Sequence, residues 1–74
     1  MKLHIEYCEK WNYKPEFDRV SNIINSLNYN VEIKGNLAEP RTGSFEVKLN
    51  DKLVFSKFQT DKFPDENEIL SWFN

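Results

Sequence analysis

Leu3-His4-Ile5-Glu6-Tyr7-Cys8, a helical face at Phe17, Val20, Ile24 and Leu27, and then Tyr29-Asn30-Val31-Glu32-Ile33-Lys34 together decide the fold. In the first segment Leu3, Ile5 and Tyr7 point one way and His4, Glu6 and Cys8 the other, the period of a half-buried strand. Glu9 to Lys14 is too polar for a core element. Pro15 suits the first turn of a helix, where its missing N–H has no helical partner to lose. The spacing of Phe17, Val20, Ile24 and Leu27, with Ile23 beside them, makes one apolar face. Asp18, Arg19, Asn22, Asn25 and Ser26 cover the other. Asn28 is tolerated where a helix ends in left-handed geometry. Tyr29, Val31 and Ile33 then alternate with polar residues as a second strand. Strand, helix, strand is a crossover, normally parallel and right-handed.

Working outward, Gly35 to Gly43 holds both glycines and Pro40 and reads as an exposed loop. Phe45, Val47 and Leu49 alternate with Glu46, Lys48 and Asn50, and Asn50-Asp51 makes a tight turn into a strand over Lys52 to Phe58. Asp65, with Glu68 three residues on, approximates a capping box before Ile69, Leu70 and Phe73. The expected order is β-α-β-β-β-α. Because each strand is apolar on one face only, both helices must lie on one side of a mixed four-stranded sheet. The fold class is therefore α/β, a two-layer sandwich. Residues 1–74 form a single domain, with no internal repeat or low-complexity tract.

The chain has 74 residues, with 10 Lys plus Arg against 12 Asp plus Glu and a net charge of −2. One cysteine and one histidine exclude an internal disulfide and a zinc site built from Cys and His. Stability must come from packing, for which 15% aromatic residues supply the material. Slight acidity and the lack of a clustered basic footprint argue against nucleic-acid binding. No apolar run is long enough for a membrane span or a secretory signal, so an intracellular, monomeric protein with a reduced thiol is expected. There is no Gly-rich phosphate loop.

Cys8 is the most informative residue, because it ends the first strand just before the first helix, where sites of open α/β sheets sit. One reading is a reactive thiol, favoured by backbone N–H groups near the helix start and by Lys10, Lys14 or Arg41, and opposed by Glu9. The other is a small apolar residue closing a strand. Three residues on, where a Cys-x-x-Cys loop would carry its resolving thiol, stands Trp11. Trp11, Tyr13 and Phe63 form either an exposed aromatic rim for partner docking or ordinary core. His4 is expected to be solvated on the polar sheet face. Glu6, Glu9 and Glu16 lie toward one end of the molecule. Lys48, Lys52, Lys57 and Lys62 surround the hairpin, where charge protects edge strands.

Ile5-Glu6-Tyr7-Cys8-Glu9-Lys10-Trp11-Asn12-Tyr13, Thr42-Gly43-Ser44-Phe45-Glu46-Val47 and Leu53-Val54-Phe55-Ser56-Lys57 resemble the selenoprotein W group of the Rdx (selenoprotein W/T/H) family. The resemblance implies a thioredoxin-like fold and a small cytoplasmic thiol-redox protein. It also implies glutathione as co-substrate, with no bound cofactor, and redox-regulated protein partners, 14-3-3 proteins among them. Carried over by position, Cys8 is the first motif residue, and Trp11 occupies the place of the family's selenocysteine or cysteine. Thr42-Gly43 stands beside the site as in relatives. Two origins of Trp11 stay open. One is loss of the second redox residue, leaving a monothiol or a protein-interaction module that docks through Trp11, Tyr13, Arg41, Thr42 and Gly43. The other is a selenocysteine codon, UGA, taken as tryptophan, whose codon UGG differs by one base.

Overall fold

A computed structural model of the chain describes residues 1–27 and 30–73. The elements run β1 (Lys2–Tyr7), α1 (Lys14–Ser26), β2 (Glu32–Gly35), β3 (Phe45–Leu49), β4 (Lys52–Ser56), α2 (Lys57–Thr60) and α3 (Glu66–Ser71). The expected helix end at Asn28 and strand start at Tyr29 lie outside the described residues. The sheet order is β2-β1-β3-β4, with β1 parallel to β2 and antiparallel to β3, and β3 antiparallel to β4. The mixed four-stranded sheet is thus the expected one.

One face of this sheet makes the core. Leu3 and Ile5 of β1, Phe45 and Val47 of β3 and Phe55 of β4 meet Val20 and Ile24 of α1, and Ile69 and Trp72 at α3. Both longer helices therefore cover the same face. Asp65 caps α3, its Oδ1 accepting from Glu68 N at 2.8 Å, while Glu68 pairs with Lys62 rather than closing the reciprocal half of the box. Asn50 and Asp51 have φ of 48° and 68°, the left-handed pair that a two-residue hairpin with the right twist requires.

Three departures have local causes. The strand expected over Lys52 to Phe58 stops at Ser56, which accepts from Gln59 N at 3.2 Å and turns the chain into α2. A bulge between Val47 and Lys48 pairs Val47 with Phe55 and Lys48 with Leu53, so Val54 and Phe55 both pack on the core side. Lys48, expected to guard an edge, sits on the interior strand β3. The opposite face carries no helical layer among the described residues. α2 reaches it with Phe58 and Gln59, which share a groove with His4 and Glu6.

Candidate functional site

β1 delivers Cys8 one residue past its C-terminal end, where the Cys8 N–H still donates to Ser44 O at 2.9 Å and extends the ladder with β3. The chain then folds into a tight loop. Asn12 N donates to Glu9 O at 3.0 Å and Tyr13 N to Cys8 O at 2.9 Å, with Asn12 in left-handed geometry at φ 57°. Asparagine tolerates that conformation because its short polar side chain bonds locally. This loop folds Trp11 N back onto the thiol, to which it donates at 3.4 Å.

The thiol itself is buried, with Cys8 only 1% exposed. Cys8 lines a cleft of about 270 Å³ with Glu9, Lys10, Glu39, Pro40 and Thr42. Of the three cations expected near the sulfur, Lys10 lines this cleft. Lys14 pairs with Asp18 at 2.9 Å and Arg41 with Glu6 at 2.8 Å. Glu9 and Glu39 stand in the same wall.

The loop over the site is tied down from two sides. Arg41 donates through its backbone N, Nε and Nη2 to both oxygens of Glu6, and its guanidinium lies 5.0 Å from the Phe58 ring centroid. The Arg41 side-chain hydrogen bonds, helped by its backbone N–H and its charge, hold the Glu6 carboxyl below its ordinary range, with burial working against them. Asn36 prolongs the β2 edge: its Oδ1 accepts from Tyr7 N at 2.9 Å, and its Nδ2 donates to Tyr7 O at 3.0 Å and to Glu9 Oε2 at 3.2 Å. Nothing in the alternation of apolar residues marks Asn36, because its role is set by a partner 29 positions away.

The aromatic rim divides. Trp11 is 56% exposed and lies over Gly43, where a Cβ would stand 2.9 Å from Trp11 Cζ3. Tyr13 is half-buried, edge-on to Trp11 at 6.2 Å and to Phe63 at 4.8 Å, and Phe63 packs on core Phe45 at 5.4 Å. Lys57 Nζ rests 5.5 Å from the Tyr13 ring centroid and 5.4 Å from that of Phe63. Trp11, Thr42, Gly43 and Cys8 are thus brought together, Tyr13 links them to the core, and Arg41 is held to the Glu6 side.

His4 is half-buried rather than freely solvated, with Nε2 buried and unpartnered. Glu6, Glu9 and Glu16 go to separate partners, Arg41, Asn36 and Arg19, so they form no paired-carboxylate site. No group of three or more His, Cys, Asp or Glu among the described residues is arranged to hold a metal, and no helix there is long and apolar enough to cross a membrane.

Comparison with known proteins places this geometry in a family. Selenoprotein W of Danio rerio is 35% identical over 71 residues, covering 95% of this chain and 83% of that protein. Migration and invasion enhancer 1 of Bos taurus is 29% identical over 70 residues; the match covers 95% of this chain and 59% of the relative's length. Among solved structures, a selenoprotein W-related protein from Vibrio cholerae superposes with a TM-score of 0.74 at 19% identity, covering 99% of this chain and 96% of that one. A protein from Bordetella parapertussis gives 0.74 at 15% identity, covering 95% and 89%. These two likenesses show the fold, a thioredoxin-like α/β sandwich. With the Rdx family profile matching residues 2–72, the chain belongs to the Rdx family.

Proposed function

We propose that this chain is a small thiol-redox protein in which Cys8 exchanges with glutathione-linked disulfides and redox-regulated protein partners. The observation that carries the reading is the placement of Cys8 directly after β1, its Sγ accepting from Trp11 N at 3.4 Å in a tight loop closed by the Asn12 N–Glu9 O and Tyr13 N–Cys8 O hydrogen bonds. In the reaction, the Cys8 thiolate attacks the glutathione sulfur of a partner's mixed disulfide, and the partner leaves as a thiolate. A free glutathione thiolate then attacks the glutathione sulfur on Cys8. Glutathione disulfide departs and the Cys8 thiolate is restored. Glutathione is the external resolving thiol because position 11 carries indole instead of a second sulfur. Because Cys8 is buried, the attack requires the Glu39–Thr42 wall of its cleft to move aside. The cytoplasm, where glutathione keeps thiols reduced, is the compartment this chemistry suits.

Turnover of a glutathionylated peptide in the presence of reduced glutathione tests the proposal. Wild-type protein should release the peptide thiol faster than glutathione alone, and Cys8→Ser should not. Equal rates for the two proteins would defeat it.

A second reading is favoured by one specific contrast, a buried thiol beside an exposed indole. Trp11 on its Gly43 platform is a large, anchored contact residue of the kind that dominates protein interfaces, and redox-regulated proteins such as 14-3-3 are candidate partners. Capture of a partner that is lost with Trp11→Ala and kept with Cys8→Ser supports docking. The reverse pattern supports covalent exchange through the thiol.

A further inference from the structure

We infer that residues 36–42 form a strap across Cys8, pinned at Asn36 and Arg41, and that release of either pin sets how fast the thiol reacts. Both pins grip the chain immediately around Cys8. Asn36 holds the backbone N–H and C=O of Tyr7 at 2.9 and 3.0 Å and reaches Glu9 Oε2 at 3.2 Å. Arg41 holds the Glu6 carboxylate through its backbone N at 2.7 Å, Nε at 3.1 Å and Nη2 at 2.8 Å. Glu39, Pro40 and Thr42, between and beside the pins, wall the cleft in which Cys8 lies buried.

Between the pins little else holds the strap. No hydrogen bond joins Leu37, Ala38, Glu39 or Pro40 to another described residue. Leu37 is 73% exposed, and Ala38 and Glu39 are exposed as well, so the segment buries little apolar surface of its own. A segment with few buried contacts opens locally at a cost well below that of global unfolding, and here that cost resides in the pins. The two differ in kind. The Asn36 contacts with the Tyr7 backbone are uncharged and part-buried, whereas the Arg41 side chain is 65% exposed and its pair with Glu6 is open to screening by salt. Such a strap regulates the site proposed above, and so rests on Cys8 being the reacting group, with ionic strength raising the open population.

The test is the rate of Cys8 alkylation by iodoacetamide in the full chain at one fixed pH. Wild type is compared with Arg41→Ala, Asn36→Ala and, as a control for the loss of a remote exposed pair, Lys62→Ala. Arg41→Ala should react about fivefold faster, the scale of one exposed bidentate pair, and Asn36→Ala about tenfold faster, for two hydrogen bonds to backbone lost. Lys62→Ala should match wild type. Taking a cation away from a thiol slows its alkylation, so acceleration in Arg41→Ala reads access. Raising sodium chloride from about 0.05 M to about 0.5 M should speed wild type and leave Arg41→Ala unchanged. Each rate is repeated in urea below the unfolding transition: local opening leaves it nearly flat, whereas global unfolding raises it with the slope of the equilibrium transition. A wild-type rate in Arg41→Ala or Asn36→Ala, a rate that follows global stability, or a salt effect that survives in Arg41→Ala would overturn the strap. Iodoacetamide needs no disulfide chemistry, so the two readings fail separately. Turnover of the glutathionylated peptide without a gated alkylation rate removes the strap alone, and a gated rate without turnover removes the redox reading alone.

Discussion

Gly43 combines a φ of +80° with the Trp11 ring lying where a Cβ would go. Gly43→Ala should therefore cost about 1–2 kcal/mol through backbone strain and displace the indole, seen as a shift in tryptophan emission beside a lowered urea midpoint. Removing the ring as well, in Gly43→Ala/Trp11→Ala, should recover the steric part and leave the conformational part. The same residue-scale reasoning gives position 11 a second test. Its N–H already contacts Cys8 Sγ, so a sulfur introduced by Trp11→Cys enters the spacing that closes a Cys-x-x-Cys disulfide. Oxidation of that variant should produce an internal disulfide with loss of both free thiols. If both thiols stay free, the loop is not built for redox pairing. The gene itself decides whether tryptophan is native: a UGG codon under standard decoding makes it so. Cys8 and Trp11 are legible in the sequence as positions. Burial of the one and exposure of the other are not, because Cys8 is walled by Glu39, Pro40 and Thr42 and the Trp11 ring rests on Gly43, all of them far along the chain.

At the scale of elements, α2 was hidden by composition, although Ser56 with Gln59 three residues on carries the spacing of a capping box. The apolar alternation through Phe58 reads as strand, and the deciding partner, Glu46, comes from a different strand. Its buried carboxylate accepts from Ser56 Oγ, from Lys57 N at 2.7 Å and from Phe58 N at 3.4 Å, satisfying donors that a short helix leaves open. Glu46→Ala should cost about 2–3 kcal/mol by orphaning these donors, and Glu46→Gln less, because one oxygen remains. Urea unfolding of both variants checks the order. The loop that covers Cys8 depends on a different carboxylate. Glu6 is held below its ordinary value by Arg41, so its contribution is fully present above the unfolded carboxylate range and is lost as pH falls through the folded value. Stability should decline between about pH 5 and about pH 3 less steeply in Arg41→Ala than in wild type. Identical slopes would show that the pair contributes nothing to the pH dependence. Because Arg41 is largely exposed, the effect should shrink with added salt.

For the whole molecule, the element order apart from α2, the β1–α1–β2 crossover, the β3–β4 hairpin and the one-sided helical layer are readable because period-2 and period-3.6 patterns directly encode which face is buried; the antiparallel pairing of β1 with β3 is not. Leu3, Ile5, Val20, Ile24, Phe45, Val47 and Ile69 all occupy the core that those patterns imply. The Asn36 extension depends on a partner far along the chain, and the Val47/Lys48 bulge on the pairing of Val47 with Phe55 and Lys48 with Leu53 across the hairpin; neither leaves a periodic trace. A chain with no disulfide has little stability in reserve. Phe45, fully buried against Phe63, is the largest fully buried side chain among the described residues, and Phe45→Ala should lose about 3–5 kcal/mol, enough to populate the unfolded state at room temperature by circular dichroism. This packing also fixes the end of β1 and hence the thiol. The most direct test of the central claim is a mass-spectrometric time course of the folded protein with oxidised glutathione, run beside the same protein in urea. A single adduct on the Cys8 peptide, forming while the chain is folded and removed by reduced glutathione, is the expected result. A folded protein that stays unmodified and reacts only once unfolded would contradict it, leaving Cys8 a structural thiol.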